Sequence, residues 1–367
     1  MNKIVIITNS HRPDDSRVYQ KIAVSLAKKY DITIIHTSAI KMENSQNIHF
    51  ITCPTVRKYE FIRFCLKTIK KEKSDLLICV EPFTLLIGNI AKLLFKIPFI
   101  YDCHEFFAEA FTEKHSYAKP ISYLTYRAVE ILLYKNANGV VTVNQILVNL
   151  LKKSNPNTIA CGNYPLTHSP GKKGESKEYD LIYTGGISRY RGLDLMLKLV
   201  EYFKKENNPL RLLILGKFLN HSEESYAFSK IKESGLEGYV EIKSHVSSHL
   251  VPEYLSKAKI GLSILNPAVS RYHNAIPLKL LEYMQQGLPV IANNFPILRE
   301  IITKNQCGLC VQYDLQMIIP AVRELLDKKE IYETYSYNAK KLVETEYNWQ
   351  NEEPKLFSLI HGIINEH

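Results

Sequence analysis

Several features are missing from this sequence, and each absence narrows the possibilities. The longest apolar stretch, Leu76 to Tyr101, is broken by Glu81, Lys92, Lys96 and two prolines, so it does not read as a membrane span. No secretory leader is visible, because Met1-Asn2-Lys3 runs straight into the apolar Ile4-Val5-Ile6-Ile7. The cysteines are seven, Cys53, Cys65, Cys79, Cys103, Cys161, Cys307 and Cys310, an odd and scattered set that fits a reducing cytoplasm better than a disulfide framework. Cys307 and Cys310 form a CxxC, but no second pair is spaced to complete a zinc site, and CGLCVQY reads as a strand with structural thiols. No metal-ligand cluster, no repeat of fixed short period and no low-complexity tract is present. The Gly-x-Gly-x-x-Gly of dinucleotide-binding proteins is also missing, which weighs against a nicotinamide enzyme, and no cofactor is expected.

What is present points to a globular α/β chain. Its 367 residues exceed one ordinary core and call for two domains. In the first half KIVIITN, DITIIH, NIHFITC, DLLICVE, PFIYDC and GVVTV are short apolar β-rich runs; the first is followed by a helix expected from about Ser16 to Lys29. The second half repeats the plan with DLIYTG, a helix from Gly192 to Lys205, then RLLILG, YVEIKS, KIGLSIL, LPVIANN and GLCVQY. Continuous apolar strands between helices mean parallel sheets covered on both faces. The expected boundaries are 1–165 for the first domain, a polar linker over 166–178, 179–347 for the second, and a helical end over 348–367. Strand carboxyl ends of the two doubly wound domains are expected to line a shared cleft.

Charge is unevenly divided. Residues 1–165 carry 22 Lys+Arg against 13 Asp+Glu, whereas residues 166–367 carry 25 against 24. The basic half calls for an anionic partner. Arg57 to Lys73, RKYEFIRFCLKTIKKEK, reads either as a helix on an anionic membrane surface or as a surface helix with its apolar stripe in the core. No helix-turn-helix, zinc finger or RNA-binding signature accompanies the charge, so nucleic acid is not expected.

The stretch Pro277 to Asn294, PLKLLEYMQQGLPVIANN, reads as a buried helix, a stop at Gly287-Leu288-Pro289, and a core strand. Glu282 is the one carboxylate on that helix, and a carboxylate out of water needs donors. Lys279, three residues back, is one source; a ligand with adjacent hydroxyls is the other. Three strand ends also carry polar groups. Asn9 to Arg17 follows the first strand, where Asp15 and Ser16 suit either a helix cap or a ligand. His104 in Tyr101-Asp102-Cys103-His104-Glu105 suits a cap or a sugar hydroxyl. Thr184 to Gly192, TGGISRYRG, combines Gly185 and Gly186 with Arg189 and Arg191, a pattern that suits a diphosphate, with a solvated loop as the alternative.

Taken in order, DSRVYQKIAVSLAKKYDITII, YDCHEF, NYP at 163–165, YTGGISRYRGLDLML, PLKLLEYMQQGLPVI and EYNWQ resemble glycosyltransferase family 4, the retaining nucleotide-sugar transferases of the GT-B fold. The resemblance spans nearly the whole chain. It implies two Rossmann-like domains, with the terminal helix crossing back to the first. It also implies a nucleoside-diphosphate sugar as donor, most commonly a UDP-sugar, and a lipid-linked or other saccharide acceptor on the basic domain. Bacterial surface-polysaccharide synthesis is the implied setting, in the cytoplasm and at the inner face of the plasma membrane.

The resemblance also gives residues roles. Glu282 holds the ribose, Arg191 the phosphates, and His104 the transferred sugar, while Lys279 and the amides near Leu280 and Leu281 lie near the diphosphate. Two positions depart from the family. Asn274 stands where a glutamate is usual, and Gly186 where an arginine follows the loop glycine; Arg189 is the nearby substitute. The same fold also serves nucleotide-sugar 2-epimerases, and a non-catalytic nucleotide-sugar-binding subunit is a further alternative.

Overall fold

The computed structural model of the chain describes residues 1–104, 107, 119–167, 176–244, 246 and 250–366. Glu105 of the histidine motif and residues 168–175 of the expected linker lie outside the described residues. Two compact units emerge: Met1–Leu166 with Trp349–His367, and Thr167–Asn348.

The first unit is built on a parallel sheet of seven strands: β1 (Lys3–Ile7), β2 (Asp31–His36), β3 (Ile48–Thr52), β4 (Leu76–Val80), β5 (Phe99–Cys103), β6 (Gly139–Thr142) and β7 (Thr158–Ala160). Their order is β3-β2-β1-β4-β5-β6-β7. Strands such as Leu76–Val80 are buried at every residue, as a sheet covered on both faces requires. On one face lie Phe61, Cys65 and Ile69 of the helix Lys58–Glu72, Leu85, Ile87 and Ala91 of Leu85–Phe95, and Tyr134 of Lys119–Tyr134. On the other lie Val18, Ile22 and Leu26 together with Trp349, Leu356 and Ile360 of the terminal helix Trp349–Asn365. That helix is fastened by Trp349 N–H to Pro165 O at 2.9 Å, Trp349 Nε1 to Ser25 Oγ at 2.8 Å and Gly162 N–H to Glu352 Oε2 at 2.8 Å. The return of the chain's end to the first domain is thus explained by burial of its only tryptophan.

The second unit carries six parallel strands: β8 (Tyr179–Thr184), β9 (Leu212–Leu215), β10 (Val240–Lys243), β11 (Ala258–Ser263), β12 (Val290–Asn293) and β13 (Gly308–Val311), in the order β10-β9-β8-β11-β12-β13. Strand order therefore reverses between β1 and β4 in one sheet and between β8 and β11 in the other. In open α/β sheets such reversal points are where ligands bind, beyond the carboxyl ends of the strands.

Some elements differ from the sequence reading. The helix expected from Ser16 begins at Val18 and runs to Ala23 as a π-helix, with Ile22 N–H donating to Arg17 O. Wide turns of this kind re-aim side chains; here Arg17 and Lys21 are turned into the protein. The Lys58–Glu72 helix keeps its apolar stripe in the core and exposes its lysines. All seven cysteines are free thiols, and burial raises Cys307 to about 12.

Candidate functional sites at the strand ends

In the second unit the loop after β8 and the helix Leu278–Gln285 are locked to the sheet by two tyrosines. Tyr283 projects from the helix beneath Gly261 of β11, where any Cβ would collide with its ring. Its hydroxyl accepts the Thr184 backbone N–H at 2.7 Å, so the helix is pinned to the end of β8. Tyr183 precedes Thr184 and donates its hydroxyl to Gly186 O at 2.7 Å, which fixes the loop. Gly192 ends that loop at φ 86°, and a Cβ there would lie 2.1 Å from Ile264 O. Only glycine satisfies both the left-handed backbone and the close approach. Asn293, at the end of β12, holds the neighbouring loop by a reciprocal pair with Leu265, at 2.6 Å to its N–H and 2.9 Å to its carbonyl.

This framework holds two cations together. Arg191 lies across the loop glycines, its Nη1 3.3 Å from where a Cβ of Gly186 would be. The Lys279 ammonium sits 3.7 Å above the centre of the Tyr183 ring. Lys279 Nζ is shielded from water and makes no hydrogen bond among the described residues. Burial, with Arg191 beside it, depresses Lys279 well below the ordinary lysine range. Pairing of Lys279 with Glu282, one of the two sources of donors for that carboxylate, does not occur: Nζ has no hydrogen-bond partner among the described residues. Glu282 itself is half-buried, not fully buried, one turn further along the helix. An unpaired buried ammonium is costly, and a cation–π contact offsets only part of that cost. Two basic side chains brought together beside a glycine loop suit an anion.

The other expected residues of this unit fall as follows. Arg189 turns away and is neutralised by Glu223, receiving it at its backbone N–H (2.9 Å) and guanidinium (3.3 Å) while stacking on Tyr226. Its expected role as substitute phosphate ligand is therefore not what its contacts show: Glu223 already occupies the guanidinium. Leu280 and Leu281 are fully buried, and the Leu280 N–H is used within the first turn by Pro277 O at 3.0 Å. Asn274 closes the short 3-10 turn Ser270–Asn274, in which His273 stacks on Phe295 at 4.3 Å.

In the first unit three strand ends converge. Asp102 of β5 is buried and held by Arg17, whose Nη2 lies 2.7 Å from Oδ1. Burial opposes the charged form of Asp102, but Arg17 and His104 outweigh it and hold its carboxyl well below the usual range. His104 donates Nε2 to Asp102 Oδ2 at 2.5 Å, leaving Nδ1 for a ligand. Asp15 acts as a cap, accepting the N–H groups of Arg17 and Val18 at 2.8 and 2.9 Å. It also faces His11 Nδ1 at 3.1 Å, while Glu81 faces His11 Nε2 at 3.1 Å. The rings of His11 and His104 meet edge to face at 5.0 Å. Sequence reading singled out His104 and Asp15 but passed over His11 and Glu81. Glu81 lies at φ 72°, ψ 158°, a region that costs a side-chain-bearing residue about 1–3 kcal/mol.

With both strand-end sites described, comparison with known proteins is informative. The family model of glycosyl transferases group 1 matches residues 167–342, the second unit almost entirely. Among solved structures, sucrose-phosphate synthase from Thermosynechococcus elongatus superposes with a TM-score of 0.76 at 15% identity over 100% of both chains. Anabaena HepE in complex with UDP-glucose gives 0.76 at 13% identity, over 98% of this chain and 99% of that one. WaaG, a glycosyltransferase involved in lipopolysaccharide biosynthesis, gives 0.72 at 14%, over 96% and 98%. The chain has the GT-B fold, and its second unit matches the glycosyl transferases group 1 model. Among curated protein sequences none matches it.

The signal that could have exposed the tyrosine pair was local: Tyr183 lies near the end of an apolar strand, and Tyr283 sits in the same helix as Lys279. Each was read as ordinary core. The cation pair gives a test. Lys279→Met removes the buried charge and keeps the stem, so the ligand-free enzyme should gain about 1–3 kcal/mol of stability, while binding of a nucleoside diphosphate weakens. Chemical denaturation with and without nucleotide reads both; a destabilised Lys279→Met with unchanged nucleotide affinity contradicts the site.

Proposed function

We propose that this nucleotide-sugar glycosyltransferase is a retaining enzyme of family 4 that moves a sugar from a UDP-linked donor to a saccharide acceptor in bacterial surface-polysaccharide synthesis. The observation that carries the proposal is the Lys279 ammonium, buried beside Arg191 without an anion. A nucleoside diphosphate supplies the missing charge. Arg191 and Lys279 take the diphosphate, Glu282 takes the ribose hydroxyls, and Asn274 faces the donor sugar. UDP as the nucleotide is supported by the UDP-glucose complex of the similar HepE.

His104 contacts the transferred sugar through the Nδ1 left open by Asp102. Asp15 acts indirectly, holding the loop that carries His11. The first domain holds the acceptor and the second the donor. Catalysis rests on positioning and on stabilising the departing diphosphate with preorganised cations. The leaving phosphate accepts the acceptor's proton on the same face of the sugar, so the configuration is retained and no carboxylate nucleophile is needed. A thermal-shift screen of nucleoside diphosphates and their sugars tests the donor. Uridine nucleotides should raise the wild-type melting point by mass action. Arg191→Ala and Glu282→Ala should fold, lose that shift and lose transfer by about a hundredfold or more. Unaltered transfer in either variant removes that residue from the site.

The outer surface of the first domain supports an acceptor borne on an anionic membrane. Leu93 and Leu94 are 71% and 61% exposed on the helix Leu85–Phe95, and Leu124 and Leu132 are 65% and 56% exposed on the helix Lys119–Tyr134. Asn89 Nδ2 donates to Leu133 O at 2.9 Å, which ties these two helices side by side. The helix Lys58–Glu72 packs beside Leu85–Phe95 and exposes Lys58, Arg63, Lys67, Lys70 and Lys71. Leucines flanked by a row of cations match an anionic lipid surface. Co-sedimentation with vesicles containing phosphatidylglycerol should be lost at high salt and in Leu124→Asp/Leu132→Asp. Binding that ignores both salt and the substitutions refutes the membrane reading, and self-association through this face in place of vesicle binding also refutes it.

A further inference from the structure

Two carboxylates grip one imidazole at the reversal point of the first sheet. His11 follows β1 and is faced by Asp15 Oδ2 at Nδ1 and by Glu81 Oε1 at Nε2, each at 3.1 Å. A carboxylate accepts and does not donate when ionised. Both ring nitrogens of His11 must therefore carry protons, and the ring is an imidazolium. Burial opposes that charge, but the hydrogen bonds to Asp15 and Glu81 outweigh it and raise His11 to about 10. Asp15 is correspondingly lowered to about 2, against burial, by His11 and two backbone N–H groups. Ser10 Oγ donates to the other oxygen of Glu81, so both Glu81 oxygens are engaged. The remaining groups that face the cluster are the His104 ring, edge to face with His11, and behind it the Asp102–Arg17 pair.

We propose that Glu81 is a positioning residue for glycosyl transfer: with Asp15 it clamps His11 at both ring nitrogens, and the clamped ring sets the attitude of His104. The inference rests on the functional reading of His104 given above. The backbone of Glu81 supports it. At φ 72° and ψ 158° Glu81 occupies a conformation that suits glycine, yet it carries a side chain that is only 16% exposed and wholly committed to His11 and Ser10. Fold stability alone would favour glycine there. The presence of a glutamate in that conformation is accounted for if the carboxylate serves the site. His104, held on one side by Asp102 and on the other by the His11 ring, then presents Nδ1 in one orientation.

Two substitutions separate this role from a structural one. Glu81→Gln keeps the backbone strain and removes the charge; Glu81→Gly relieves the strain and removes the side chain. Turnover should fall about tenfold to a hundredfold in both, the scale expected for a reacting group displaced by a fraction of its proper geometry. The thermal shift given by UDP, which the second domain governs, should stay at the wild-type value, and Glu81→Gly should melt no lower than wild type. Nitrogen-15 spectra of the histidine rings supply a readout independent of activity. Wild-type His11 should remain doubly protonated at pH 8, and Glu81→Gln should lose that signature. Wild-type turnover in both variants, or a neutral His11 ring at pH 8 in the wild type, overturns the proposal. Failure of the wild type to bind any nucleoside diphosphate counts against the functional reading; the His11 signal then still decides whether the clamp exists.

Discussion

A lysine amine out of reach of water, with no hydrogen-bond partner among the described residues, is the constraint around which the second domain is arranged. Proteins bury lysine charges with a partner or not at all. Lys279 has instead the face of Tyr183 beneath it and a second cation, Arg191, next to it. The ligand-free fold therefore carries a local electrostatic cost. That cost is tolerable because Tyr183, Tyr283 and Gly192 fix the surrounding backbone through hydrogen bonds and close packing that have nothing to do with charge. On the reading proposed above, a diphosphate would meet Arg191 and the Lys279 amine already in position, with only a proton to be taken up by Lys279.

The first domain solves a different problem with the same topology. Its strand ends also meet where strand order reverses, but there each cation meets carboxylates: Arg17 meets Asp102, and His11 meets both Asp15 and Glu81. A hydrogen-bonded rim in which carboxylates outnumber these cations suits hydroxyl groups better than phosphates. The two strand-end sites therefore differ in kind, one built on Lys279 and Arg191 and the other on carboxylates that hold their cations.

Much of the fold was legible in the sequence because buried parallel strands are written as unbroken apolar runs. DLLICV and DLIYT needed no partner information to be recognised, and the paired αβ series fixed the two-domain plan. The three-residue β7, Thr158–Ala160, escaped because so short a run carries no periodicity. The π-helix at Val18–Ala23 escaped because one extra residue per turn leaves little trace in composition. At the candidate sites, groups carried by one short motif could be singled out and distant pairs could not. Gly186, Arg191 and Lys279 sit in short motifs with their chemistry exposed. His11 and Glu81 are seventy positions apart and acquire meaning only when β1 and β4 pair. Arg189 shows the reverse error: nearness to the loop glycines promised a phosphate ligand, but Glu223, thirty-four positions on, claims it.

The most direct test of the unmatched cation is calorimetric titration of the enzyme with UDP near pH 8, repeated in buffers of different ionisation enthalpy. If Lys279 is depressed in the free enzyme and regains its full charge against the diphosphate, binding takes up a proton and the measured heat changes with the buffer. That dependence should vanish in Lys279→Met. Tight binding with the same heat in every buffer would contradict the account.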